Sequence, residues 1–292
     1  MLRFPLGTLR SSVLLRTTTL PISFHMQKLR FMRLLILITF LLIQSIHAAD
    51  FQAVECEGSY PRHLQGICTN DRDAIYWCWT DVLVKTDTVG RVLKKVPVAS
   101  HHGDLCYHAG RVYVATNLGK FNRPAGEADS WVYVYDGDTL AELAKHPVPE
   151  LVHGAGGMAY DDGKFIIVGG LPPDVNENYL YEYDLSFKFV KRHVLASGYT
   201  LLGIQTVTHA DGAWWFGCYG KPAQLLRADD KFQFTGKWEF NASVGIAPIR
   251  GGRFLIAQNT SVKGADGKTK SNHAKVLVAR PDEKAGFVIE KP

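Results

Sequence analysis

The chain has 292 residues, 46% of them hydrophobic and 21% charged, and a formal net charge of +5. That excess lies in the first 49 residues, which hold six basic side chains and no Asp or Glu, so the remainder carries 27 Lys and Arg against 28 Asp and Glu. A body this close to neutral has no broad cationic field, which excludes nucleic acid and anionic lipid as expected partners.

In chain order, the first predicted element is a targeting segment. Lys28, Arg30 and Arg33 precede an apolar stretch from Leu34 to Ile43, followed by Gln44-Ser45-Ile46-His47-Ala48-Ala49. A basic region, a short apolar region and small residues at the cut are the grammar of a signal peptide. The stretch is too short for roughly 30 Å of hydrocarbon, so cleavage near Ala48 or Ala49 is expected rather than a stable membrane anchor. Residues 1–31 read as an extension upstream of a start at Met26 or Met32, and the mature protein is expected to be exported, periplasmic or secreted. Residues 50–292 are expected to form one domain. Its five cysteines (Cys56, Cys68, Cys78, Cys106, Cys218) read as buried small hydrophobes, with Cys68 to Cys106 as the candidate bridge in an oxidising compartment.

From residue 63 onward the sequence repeats. The units run 63–98, 101–148, 153–195, 201–240 and 244–291, each reading as strand, turn, strand, loop, strand, Asp turn, strand. The third strand of each unit ends at an Asp (Asp87, Asp136, Asp184, Asp229, Asp282), where an Asx turn closes the hairpin. Apolar residues alternate within five- to seven-residue runs, and no segment keeps a 3.6-residue period. Four antiparallel strands repeated radially make propeller blades. The expected fold is therefore all-β, a five-bladed β-propeller, with Phe51 to Gly58 adding a strand to the last blade to close the ring. A two-sheet sandwich is the rival fold, which five matched Asp turns disfavour. The segment Ser261 to Ser271, with two glycines and four lysines nearby, reads as an exposed loop.

In a propeller the first strand of each blade lines the central channel. That places His63, Gln65, His101, His102, Asp104, His153 and Gln205 around one mouth. Imidazole is both a common metal ligand and a common general base near neutral pH. The expectation is a divalent metal ion held by His63, His101, His153 and Gln205, with His101, His102, Asp104 and Tyr219 as catalytic groups. Asn117, Lys120, Arg123, Tyr199 and Lys221 are the candidate substrate-binding residues, the cations at the rim to meet an anionic group. The stretch Gly154-Ala155-Gly156-Gly157 leads into a strand rather than a helix, so it is not a dinucleotide fingerprint, and no nucleophile elbow is present.

The strand Leu64-Gln65-Gly66-Ile67 resembles the Gln-Gly strand that opens the five-bladed glutaminyl-peptide cyclotransferases among exported bacterial propellers. The chain departs from that pattern at His101-His102-Gly103-Asp104, where the resemblance implies an acidic-Gly strand, and it lacks a late Asn-Glu-Leu-Glu segment. The channel of His and Gln is also similar to that of the oligogalacturonate lyases, which hold a metal beside a sugar but have more blades. Three functions follow as expectations: a metal-assisted hydrolase or lyase acting on a carbohydrate or related polar metabolite, a non-catalytic glycan- or partner-binding propeller, and a cyclotransferase-like enzyme.

Overall fold

The computed structural model describes residues 50–291, so the expected signal peptide and the expected extension before it lie outside the described residues. Among those described, 21 strands form and no helix is long and apolar enough to cross a membrane. The strands make five radial sheets, and the sandwich alternative is not formed. Blade one is β2 to β5 (Leu64–Thr69, Ile75–Trp79, Val82–Thr86, Val92–Pro97), and blade two is β6 to β9 (His102–His108, Arg111–Asn117, Ser130–Asp136, Glu142–Pro147). Blade three is β10 to β13 (Ala155–Asp161, Lys164–Gly169, Asn178–Tyr183, Phe189–Leu195), and blade four is β14 to β17 (Leu201–Ala210, Ala213–Tyr219, Gln224–Asp229, Phe234–Trp238). Each of these is a four-stranded antiparallel meander in sequence order.

Blade five is closed from both ends of the propeller. Its inner strands β18 (Ile246–Ile249), β19 (Arg253–Lys263) and β20 (Thr269–Asp282) run as a meander. The outer edge of β20 is then shared, β1 (Val54–Glu55) pairing at Lys275 and Val276 and β21 (Gly286–Ile289) pairing from Ala279 to Asp282. The N-terminal strand expected to close the ring therefore does so. One expectation is corrected here: most of Ser261 to Ser271 is strand, because β19 and β20 continue as a paired hairpin through Lys263 and Thr269. Polar side chains do not prevent a backbone ladder, and buried Asn272 anchors this one, exchanging hydrogen bonds with the backbone of Tyr60.

The first strands of successive blades lie side by side, β2 on β6, β6 on β10, β10 on β14, β14 on β18 and β18 on β2, which closes the inner wall. Five apolar clusters fill the gaps between neighbouring blades, with Trp77 and Trp79 between blades one and five and Trp214 and Phe216 between three and four. Burying each such side chain stabilises the ring by about 2–3 kcal/mol, so the blades hold one another rather than standing alone. The cysteines belong to this packing: all five are buried free thiols, and Cys68 and Cys106 are not bridged.

The five Asp turns are formed as expected. Oδ1 of Asp87, Asp184 and Asp229 accepts from the backbone N–H groups two and four residues on, and Oδ1 of Asp136 and Asp282 from those two and three residues on. Near the end of each turn the chain enters the left-handed region. Gly90 and Gly286 do this in blades one and five, whereas Leu140, Phe187 and Phe232 do it in the other three, at φ of 55°, 59° and 59°. A side chain there costs about 1–2 kcal/mol. All three are buried in the clusters between blades, and that burial offsets the strain.

Candidate functional site

The inner strands do not keep strict alternation. Bulges interrupt β2 between Leu64 and Gly66, β6 between His102 and Leu105, β10 between Ala155 and Gly157, and β14 between Leu201 and Thr206. Each re-aims the side chains near one end of the channel. The result is a cavity of about 330 Å³ lined by His63, Gln65, His101, Asn117, Gln205 and Tyr219, with Ser100, Phe121 and Leu202 completing its polar and apolar walls. Six of the residues expected from the sequence therefore meet at one mouth. None of the residues lining it is a carboxylate, lysine or arginine.

The remaining expected residues lie elsewhere. His102 is fully buried and turned into its blade, donating from Nδ1 to the carbonyl of Ala99 at 2.6 Å and accepting at Nε2 from the Tyr135 hydroxyl at 2.8 Å. Its burial pushes the imidazole down to about 4. It is thus a neutral structural group without access to a ligand at the mouth. His153 precedes β10 rather than starting it, donates from Nδ1 to the Arg123 carbonyl at 2.9 Å and stacks on Tyr179. The three imidazoles expected to share an ion are accordingly not brought together by the cavity, which keeps His63 and His101. Lys120 is tied to Glu127 at 2.6 Å, and neither it nor Arg123, Tyr199 or Lys221 lines the cavity. A loop residue's place in the repeat does not say which way the loop folds.

Phe121 reaches the mouth because its loop is pinned by four hydrogen bonds. Asn117 accepts from the N–H of Asp129 and donates to the carbonyl of Gly119, and Asn122 accepts from the N–H of Leu171 while its own N–H bonds the carbonyl of His153. A pinned loop presents a rigid aromatic face.

His63 and His101 form the chemical centre of the cavity. Both are pushed below the ordinary imidazole value, first by desolvation, then for His63 by His101 and Arg62 and for His101 by Arg62. They are therefore neutral at pH 7. Around them lie three amides: Gln65 donates from Nε2 to the Thr80 hydroxyl at 3.2 Å and to Nδ1 of His101 at 3.5 Å, Gln205 donates to the carbonyl of Leu202 at 2.7 Å, and Asn117 sits beyond. The partner Thr80 and the wall residues Ser100 and Leu202 were not singled out from sequence. For Leu202 the sequence offers only a Leu-Leu pair before a glycine, whose exposure the structure shows.

Asp104 lies deeper, at the throat. Its carboxyl is completely buried, packed against Gly66 and Gly157 of the flanking blades, and Oδ2 accepts from the backbone N–H of Val207 at 3.1 Å. Its Oδ1 has no hydrogen-bond partner. Burial raises its pKa well above the ordinary carboxylate value despite hydrogen bonds from backbone amides, which favours the neutral carboxyl. A carboxyl can take this place only because the neighbouring strands carry glycine: a Cβ on Gly66 would lie 2.5 Å from Cα of Asp104.

No protein-family model and no curated protein matches the chain. Solved structures do match in fold. A glutaminyl cyclase from Myxococcus xanthus is similar at a TM-score of 0.53 and 15% identity, over 79% of this chain and 98% of that one. A mutant GH43 protein from Bacillus licheniformis is similar at a TM-score of 0.58 and 12% identity, over 80% of this chain and 55% of that one. The present chain spans little more than half the length of the second. At such identities the likeness is one of fold, the propeller expected from the five repeats.

Proposed function

We propose that the mouth takes an uncharged, carbohydrate-like polar molecule and that His63 and His101 move the protons of a hydrolysis or elimination on it. The observation that carries this reading is the composition of the cavity: two neutral imidazoles and three amides in a lining without charge, beside Phe121 and Tyr219. Amides and imidazoles match the mixed donor and acceptor hydroxyls of a sugar, and an aromatic face matches its apolar side. A neutral imidazole supplies general acid–base catalysis near neutral pH, worth about 10²–10⁴-fold in rate. The expected anionic substrate fits this lining less well, since the cations read as its rim are elsewhere.

The test is a screen of neutral oligosaccharides and polyols against the mature protein, followed by His63→Ala and His101→Ala. Loss of turnover by about 10²-fold or more in either variant, with unchanged circular dichroism, supports the reading. Binding without turnover, undisturbed by both replacements, would favour a glycan-binding propeller instead. The metal-assisted version of the chemistry leaves two imidazoles and the amide oxygens of Gln65 and Gln205 as donors. Addition of zinc, manganese or calcium during the same screen tests it, with a metal-dependent rate as the supporting result.

A further inference from the structure

We infer that Gln65, held by Thr80, positions His101 by fixing its hydrogen-bonding direction: Nδ1 accepts, and the proton-bearing Nε2 is left to the ligand. The inference rests on the reading that this mouth is the functional site, and it divides the labour between the two imidazoles.

A backbone carbonyl is the one member of this chain of hydrogen bonds whose role is fixed. The carbonyl of His63 can only accept, and it does so from both the N–H and the hydroxyl of Thr80, each at 3.3 Å. The single hydroxyl hydrogen of Thr80 is thereby committed, so Oγ1 is left as an acceptor. Facing it at 3.2 Å is the amide of Gln65, which must present Nε2. That nitrogen has a second hydrogen, and Nδ1 of His101 lies 3.5 Å away, at the long end of a hydrogen bond. A ring nitrogen facing an N–H donor offers its lone pair, and the ring proton then resides on Nε2. Within the described residues Nε2 of His101 has no hydrogen-bond partner.

The surroundings favour the same state. The charged and titratable groups bearing on His101 are His63 and Arg62, neither of which stabilises an imidazolium, and no carboxylate lines the cavity. Protonation at Nδ1 would also set two donors against each other across the Gln65 contact. His101 is therefore the hydrogen donor toward a ligand oxygen, and His63, without such a partner, is left as the base. A nitrogen that carries a proton does not ligate a metal, so an ion held by Nε2 of His101 would require the whole chain from Thr80 outward to reverse.

The experiment reads the imidazole directly and needs no ligand. In protein labelled with ¹⁵N at histidine, the His101 ring, assigned by the signal lost in His101→Gln, should show a protonated Nε2 and a bare Nδ1 at pH 8. Free imidazole already leans this way, so the deciding arm is Gln65→Glu, which turns the donor into an acceptor. It should move the proton to Nδ1 and raise the pKa of His101 by about one unit or more. If that variant fails to fold, Thr80→Val decides: freed from its anchor, the amide should no longer hold the ring and the pKa of His101 should shift, while Thr80→Ser keeps wild-type values. A protonated Nδ1 in the wild type, or unchanged values in both Gln65→Glu and Thr80→Val, would overturn the inference. The expected spectra with no turnover or binding at the mouth would leave it standing and remove the functional reading instead.

Discussion

The two mouths of the channel share the inner strands of blades one to four and reach similar size, yet they treat their polar groups differently. The opposite mouth encloses about 360 Å³, slightly more than the one described above, and its lining is richer in charge. There most of the charges are spent in ion pairs, Asp211 being the exception: Arg250 bonds Asp71 at 3.1 Å, Arg253 meets Asp50 at 2.6 Å, and His209 is gripped between Asp161 and Asp230 at 2.7 and 2.8 Å. Its two cysteines, Cys68 and Cys106, have thiols pushed well up by burial, which leaves them poor nucleophiles. At the first mouth the polar groups make few bonds to each other. A cavity announces a site through uncommitted groups, not through volume or charge.

The largest effects are expected at the throat that separates the mouths. Gly66→Ala would drive a methyl group against the backbone of Asp104 and should cost about 3 kcal/mol or more in urea unfolding. Gly110→Ala, at an open turn with φ of +81° and nothing near its Cβ, should cost about 1 kcal/mol. Similar losses at the two positions would mean that the throat is loosely packed.

Next in size is the pH dependence of two buried groups with opposite signs. His102 has a folded pKa of about 4 against 6.5 in the unfolded chain. Its contribution is complete above pH 6.5 and is lost as pH falls, about 3 kcal/mol by pH 4. A His102→Asn variant, less stable at pH 7, should lose less on acidification. Asp104 works the other way. With its folded pKa raised, its contribution is complete below the unfolded carboxylate pKa and is lost as pH rises above it, by up to about 1.4 kcal/mol per pH unit until the folded pKa is reached. Asp104→Asn should remove that slope, so its stability relative to wild type should rise with pH. Denaturant midpoints across pH 4 to 8 check both signs.

The smallest stability effects sharpen the contrast between the mouths. Breaking the exposed pair with Arg250→Ala should cost about 0–1 kcal/mol and leave binding at the first mouth unchanged. His101→Ala should be as mild for stability but should abolish ligand affinity or turnover. Equal functional loss from both would mean that the channel acts as one site.

The fold was legible in sequence because its markers are local. An Asx turn is decided by one Asp and the next few residues, and a blade by two hairpins, so five repeats of Asp and alternation sufficed. The site was legible only to the level of which strands would supply it. His63, Gln65, His101, Asn117, Gln205 and Tyr219 came to the mouth, whereas His102 did not, because adjacent residues of an extended chain point to opposite sides and its ring is held by Ala99 and Tyr135. Composition does not show which of two neighbouring histidines faces the channel. The polar hairpin from Ser261 to Ser271 was missed for the converse reason: its strands are held by backbone pairing that side-chain character does not reveal.

The double closure of β20 also governs how the molecule can be made. Blades one to four are each pairings of consecutive segments, so they can form in turn as the chain leaves the ribosome. β1 cannot. Its partner Val276 is translated more than two hundred residues after Val54, and until then the ring has a gap with exposed edges. A nascent chain cut short anywhere before β20 therefore keeps its first strand unpaired and its last gap open. The latch thus distinguishes finished from unfinished copies, leaving the latter exposed to aggregation and proteolysis.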